Sequence, residues 1–257
     1  MPELPEVETL CRQLSETVKG KRIIKTEIFD SKLAGIGEIS GRLIRNVQRS
    51  GKTIELILDD SRCVTIHLRM TGRLFWNPRP ERLPHTRWRM SLAQGHVDLV
   101  DPRRFATIRV GKTAGGMAAI DLMHKFDEHA FLEKHARRKV NVKVLLMDPK
   151  VIAGIGNIYA CEILHQAGIA PTRQASAIPR AKWKEILRRG RRILKKGIER
   201  RGTSISDWRD LYGCPGENQR ELKAYGRKGK TCSICGGVIR RMKQGGRSTF
   251  YCPDCQK

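Results

Sequence analysis

Apolar residues fall in two rhythms along this chain, and the change between them marks its architecture. Val7, Leu10, Cys11, Leu14 and Val18 follow the i, i+3, i+4 spacing of a single helix face. Pro5 suits the first turn of that helix and Gly20 its exit. From about Ile23 to Val110 the period shortens to that of strands. Candidates are Ile23–Phe29, Leu43–Arg49, Thr53–Leu58, Cys63–Leu68, Arg87–Leu92, Val97–Val100 and Phe105–Val110. Turn signals such as Asp59-Asp60-Ser61 and Gln94-Gly95 separate several of them. Many short strands with hairpin-length gaps predict a β-sandwich or barrel. The glycine-bearing stretch 112–118 reads as a linker, and helical spacing follows it. Leu122, Met123, Phe126, Phe131 and Leu132 predict a helix or helix pair; further helices are expected over Val142–Met147 and Ile158–Gln166. Trp183, Ile186, Leu187, Ile193, Leu194 and Ile198 line one face of a long helix. Its other face carries Arg188, Arg189, Arg191, Arg192, Lys195 and Lys196, either a solvated surface or a phosphate-facing one.

Charge narrows the possible partners. The 257 residues hold 51 Lys and Arg against 26 Asp and Glu, a formal charge of +25. A field of that sign favours polyanions. No apolar run approaches the ~20 residues of a membrane span, and Glu3, Glu6 and Glu8 argue against an export signal at the start. Aromatic residues make up only 5%, few for stacking the bases of a single strand. Backbone-directed binding of a duplex fits better.

Two features carry candidate chemistry. The first is the opening Met1-Pro2-Glu3-Leu4-Pro5-Glu6. With Met1 removed, Pro2 would present a secondary amine. An α-amino group titrates near ~7.8, against ~10.4 for lysine, so an appreciable fraction is nucleophilic near neutrality. Attack on an aldehyde-like sugar carbon gives an iminium adduct, and Glu3 and Glu6 supply neighbouring carboxylates for proton transfer. The second feature is at the other end. Cys232-x-x-Cys235 and Cys252-x-x-Cys255 are separated by 16 residues, the spacing of a structural zinc ribbon with four thiolate ligands and no open position. Arg240, Arg241, Lys243 and Arg247 lie between the two pairs, so the metal would pin a basic hairpin. Cys11 and Cys161 sit at apolar-periodic positions and read as small buried residues.

Four stretches, in order, resemble the formamidopyrimidine-DNA glycosylases, the bacterial members of the Fpg/Nei family. They are Pro2-Glu3-Leu4-Pro5-Glu6-Val7-Glu8-Thr9, Asp101-Pro102-Arg103-Arg104-Phe105, Gly154-Ile155-Gly156-Asn157-Ile158-Tyr159-Ala160, and the terminal ribbon. The resemblance spans nearly the whole chain. It implies an α+β fold: an N-terminal β-sandwich with a leading helix (1–111), a linker (112–118), a helical helix–two-turns–helix module with a lesion-capping loop (119–226) and a zinc finger (227–257). It also implies a monomeric bacterial enzyme of the cytoplasm, associated with the nucleoid. Such an enzyme removes oxidised bases from double-stranded DNA and cuts at the abasic site, with one structural Zn2+ and no soluble cofactor.

Residue by residue, the resemblance implies that Pro2 attacks the sugar and Glu3 manages protons. Lys52 and His67 would contact the backbone near the lesion, and Asn157 and Arg247 would bind phosphate. Met70, Arg103 and Phe105 would fill the gap left by an extruded nucleotide, since such chemistry needs the base out of the stack. Tyr212 to Tyr225 resembles the capping loop, which places Tyr225 against DNA. That loop and the three gap fillers favour oxidised purines. Oxidised pyrimidines, or non-catalytic duplex binding on the same scaffold, are the alternatives. Three departures stand out: Arg69 where the family commonly has glycine, the absence of a Gly-Pro segment in 122–139, and Cys214 within the presumed capping loop.

Overall fold

The computed structural model describes residues 1–112 and 119–257. The expected linker therefore falls, apart from Lys112, outside the described residues. The chain runs α1 (Leu4–Val18), β1 (Lys25–Ile28), β2 (Ile44–Ser50), β3 (Thr53–Leu58), β4 (Arg62–His67), β5 (Arg73–Asn77), β6 (Thr86–Leu92), β7 (Gly95–Val100) and β8 (Thr107–Lys112). Beyond the linker come α2 (Glu128–His135), α3 (Val142–Met147), α4 (Asn157–Ala167), α5 (Arg180–Glu199), β9 (Arg240–Gln244) and β10 (Arg247–Tyr251).

The β-strands form two four-stranded antiparallel sheets, ordered β1-β6-β7-β5 and β2-β3-β4-β8, and a separate β9–β10 hairpin. Thr53–Leu58 buries Ile54, Leu56 and Leu58 on alternate positions, and the same alternation in β4 buries Val64 and Ile66. These side chains share one core with Val7, Leu10, Leu14 and Val18 of α1 and with Trp88, Met90 and Leu99 of the other sheet. Cys11 lies in this core, and Cys63 is buried on the alternate face of β4; burial pushes both thiols up, that of Cys63 to about 11. Cys161 is likewise buried.

Three expectations need correction. β5 was absent from the sequence pattern: Arg73–Asn77 is a short run between Gly72 and Pro78, and it is recruited by pairing with β7. The helical spacing from Leu122 does not begin a helix there; Asp121 accepts from the Met123 amide in a turn, and α2 starts only at Glu128, where Asp127 caps Ala130. The last sandwich strand begins at Thr107 instead of Phe105, because the 103–106 backbone turns inward to Asp101.

Contacts also divide the span 119–226. Residues 200–217 pack with 1–112 as one compact unit, and residues 119–199 pack with 218–257 as another. Trp208 and Leu211 belong to the sandwich core. In the second unit α5 turns Trp183, Ile186, Leu187, Leu194 and Ile198 inward, and α4 packs against both α5 and β10. No helix among the described residues is long and apolar enough to cross a membrane.

Candidate active site and nucleic-acid interface

Proline in the first turn and a reciprocal cap fix the mouth of α1. The Glu6 amide donates to the Glu3 carboxylate, and Glu6 Oε2 accepts from the Glu3 amide at 2.7 Å. The second Glu6 oxygen accepts from the Thr203 amide, also at 2.7 Å. Glu3 and Glu6 are both buried, whereas Pro2 is half-buried and Met1 is 49% exposed. Both Glu6 oxygens are thus taken up by backbone. Glu6 acts as a staple that locks the start of the chain to the 201–203 turn, not as the free carboxylate its position suggests. The turn fits only because Gly202 lacks a side chain: at φ +82°, a Cβ there would meet Glu6 Cγ at 2.7 Å. Gly216 stacks beneath in turn, its notional Cβ 2.2 Å from the Gly202 carbonyl.

Lys52 sits in a two-residue hairpin turn, since Ser50 pairs with Thr53 and Gly51 adopts φ +61°. Arg49 braces that turn against α1. Its side chain donates to Glu8 Oε2 at 2.9 Å and to the Gly51 carbonyl at 3.0 Å. His67, at the end of β4, accepts on Nδ1 from the Arg69 amide at 3.0 Å. Burial, reinforced by the charges of Arg69 and Lys52, lowers its pKa to about 4. The ring is therefore neutral near pH 7, and with Nδ1 accepting, Nε2 carries the proton and is a donor. The expected titration of His67, followed by NMR, has its midpoint near 4. Because the folded value is depressed, stability falls as the pH drops from ~6.5 through about 4. A midpoint near the ordinary value would remove this picture.

One buried carboxylate organises the two loops that carry Met70, Arg103 and Phe105. Asp101 Oδ1 accepts from Thr71 Oγ1 at 2.6 Å and from the Arg103 amide at 3.1 Å; Oδ2 accepts from the Phe105 and Ala106 amides, each at 2.7 Å. Burial alone would raise its pKa, but these bonds outweigh it and hold the carboxyl below the usual range. The constrained backbone pushes Arg69 and Arg104 to φ +55° and +58°. Arg104 is anchored by Asp30 at 2.9 Å. Met70 and Phe105 stand 50% and 41% exposed, outside the core, with the Arg103 guanidinium 4.6 Å above the Phe105 ring.

In the second unit, Asn157 opens α4 after Gly156. Its side-chain amide is engaged: Oδ1 accepts from Lys143 Nζ at 2.6 Å and Nδ2 donates to the Ser248 carbonyl at 2.8 Å. Lys143 also donates to Thr249 Oγ1 at 2.8 Å and is buried. Asn157 and Lys143 together tie α3 and α4 to the strand that carries Arg247. Arg247 is exposed and, with Lys143 and Gln244, lines a cavity of about 330 Å3. Buried Glu162, on α4, accepts from the amides of Lys223, Ala224 and Tyr225 at 2.8–2.9 Å. The Tyr225 ring lies edge-on to Phe250, 5.0 Å between centroids. The other end of the expected capping loop is held in the first unit, where Asp210 takes the Tyr212 and Cys214 amides and a Gln13 side-chain amide.

The four finger cysteines place their sulfur atoms within 4.8 Å of one another, with 3.8 Å between Cys232 and Cys255 and 3.5 Å between Cys235 and Cys252. A tetrahedron with ~2.3 Å Zn–S bonds has edges of about 3.8 Å, so the set fits one structural zinc. The sequence pattern did not reveal His165. It is fully buried on α4 with Nε2 3.2 Å from Cys232 Sγ. Donation from this ring to a metal-bound thiolate would orient the ligand and offset its charge. His165→Phe is expected to speed release of zinc to a chelator about tenfold; an unchanged rate would show the contact to be idle.

A helix-led antiparallel sandwich, a helical module opened by a Gly-x-Gly turn and a four-thiolate hairpin define a DNA glycosylase of the helix–two-turns–helix class. Three family models match in order: the formamidopyrimidine-DNA glycosylase N-terminal domain over residues 1–108, its H2TH domain over 118–208, and the zinc finger found in FPG and IleRS over 229–257. The formamidopyrimidine-DNA glycosylase of Carboxydothermus hydrogenoformans is 37% identical, with all of both chains covered, and that of Heliobacterium modesticaldum is 38% identical with the same coverage. The Lactococcus lactis Fpg bound to abasic-site DNA superposes with a TM-score of 0.92 at 31% identity over 99% of each chain. A MutM complex with carbocyclic 8-oxo-G DNA gives 0.91 at 31% identity over 100% of each chain. The chain belongs to the formamidopyrimidine-DNA glycosylase family, DNA-repair enzymes that act as glycosylase and abasic-site lyase.

Proposed function

We propose that this protein excises oxidised purines, 8-oxoguanine and formamidopyrimidines, and then cleaves the strand through a Schiff base on Pro2. The observation that carries this reading is the rigid mouth of α1. There Glu6 fixes Glu3 and the chain start at once, and the positive end of the helix dipole disfavours a protonated amine. With Met1 removed, which displaces no buried residue, the Pro2 nitrogen attacks C1′. The glycosidic pair leaves with the base, which takes up a proton. Glu3 hands a proton to O4′ as the sugar ring opens, leaving an iminium that acidifies the C2′ protons and drives elimination of both phosphates.

Met70 and Phe105 are apolar, exposed and held by Asp101, as wedges replacing a lost base must be. Arg103 supplies donors for the orphaned partner base. Lys52 and the neutral donor on His67 meet the backbone beside the lesion, while Asn157, through the α4 start, and Arg247 meet flanking phosphates. Tyr225, at the clamped end of the 212–225 loop, faces the everted base. The protein acts as a monomer in the bacterial cytoplasm. Excision rates on 8-oxoguanine and thymine-glycol duplexes test the substrate class. Purine excision should be faster; faster pyrimidine excision would reassign the lesion, and intact strands on both would leave only duplex binding.

A further inference from the structure

We propose that α5 carries a second duplex-binding site, separate from the one that handles the lesion. Its outward face sets Arg188, Arg191, Arg192 and Lys195 at helical spacings of three and four, so they form one stripe. At 1.5 Å per residue the stripe is about 10 Å long, the length of roughly three phosphates along one DNA strand. Together with Lys125 these side chains line a cavity of about 550 Å3 floored by Leu122. No carboxylate lines it. It shares no residue with the cavity beside Arg247.

The stripe is partly preset. The Arg191 side chain donates to the Leu122 carbonyl at 3.2 Å, and its guanidinium lies 4.8 Å from the Phe126 ring. Arg188 and Arg189 share the single carboxylate of Glu185, which takes both at 2.6 Å and offsets one of their two charges. Among the described residues no carboxylate pairs with Lys125, Arg192 or Lys195. Three uncompensated cations around one fixed guanidinium suit a run of phosphodiesters. An anionic membrane fits less well, because no large apolar side chain of α5 is exposed for insertion.

The test uses the full chain with its zinc. The protein is first saturated with a short duplex carrying a tetrahydrofuran analogue of the abasic site, which cannot be eliminated, and a second, undamaged labelled duplex is then titrated in low salt. A ternary complex is expected by analytical ultracentrifugation. Paired Arg192→Glu and Lys195→Glu should abolish it, and Arg192→Gln with Lys195→Gln should weaken it about tenfold. The slope of log affinity for the second duplex against log salt should fall by about 1.8 in the Gln pair, at ~0.9 per phosphate contact. Single-turnover excision from a short lesion duplex should stay within twofold of wild type. The proposal fails if no ternary complex forms, if the variants still form it, or if they lose excision in parallel. It also fails if they lose binding to phosphatidylserine vesicles while keeping the second duplex. Loss of excision by the wild-type chain would bear on the lesion chemistry alone.

Discussion

A chain extended ahead of Pro2 by residues that are not removed should give no borohydride-trapped adduct with abasic DNA and should nick it at least ~1,000-fold more slowly, ~4 kcal/mol of barrier. An amide nitrogen shares its lone pair with the carbonyl and cannot add to C1′. The neighbouring Glu3 and Glu6 are carboxylates and cannot form an iminium in its place. Pro2→Gly puts a primary amine in place of the secondary one and loses the ring that limits its motion, so its trapping should fall steeply without vanishing. The matching change at the acid, Glu3→Gln, should slow ring opening and iminium formation on a lesion duplex, while nicking of a preformed abasic site, whose sugar also opens unaided in water, should be less affected. Full trapping by the extended chain would move the nucleophile elsewhere, with Lys52 the first group to examine.

The second large effect is expected at a residue that touches no DNA in this reading. Asp101→Ala leaves the Arg103, Phe105 and Ala106 amides and the Thr71 hydroxyl without their acceptor. Stranding one buried and three partly buried donors should cost ~3–5 kcal/mol, or about 10 °C in melting temperature for a chain of this size. Lesion binding should suffer too, because Met70, Arg103 and Phe105 lose their common anchor. Asp101→Asn keeps one acceptor oxygen and should fall between. The wild-type contribution depends on pH in a defined direction. The folded carboxyl sits below its ordinary value, so the stabilisation is full above ~4 and is lost as the pH falls through the folded pKa. A thermal melt of Asp101→Ala within 2 °C of wild type would show that these loops hold their shape unaided.

The residues that hold this site together were the hardest to read from the sequence. Repeating patterns were legible: the alternation in Thr53–Leu58, the stripe from Trp183 to Ile198 and the spacing of Cys232, Cys235, Cys252 and Cys255 all reappear as elements. The reactive candidates at the chain start were legible too, because Pro2 and Glu3 are adjacent in sequence. Glu6, Asp101, Asp210 and Glu162 were not recognised as anchors. Each is a single acid with no periodic signature, and its partners are mostly backbone amides, which leave no trace in residue type. The Thr203 amide lies 197 residues from Glu6, and the amides on Glu162 lie 61 to 63 residues away. Lys143 was hidden inside an apolar helix pattern, and His165 inside another. Phe105 looked like a strand residue because its apolar neighbours continue into β8; only the inward turn toward Asp101 frees it.

The return of residues 200–217 to the first unit has a consequence for synthesis. A nascent chain that has emerged only through β8 lacks the Thr203 amide for Glu6, the Asp210 carboxylate for Gln13, and the Trp208 and Leu211 side chains for its core. The amino-terminal half therefore waits, unfinished, until the long helix has been made and the ribosome has released the stretch beyond it. A fragment cut at the linker should behave as an unstable, aggregation-prone polypeptide, and its seam with 200–217 is where a temperature-sensitive allele would most easily arise.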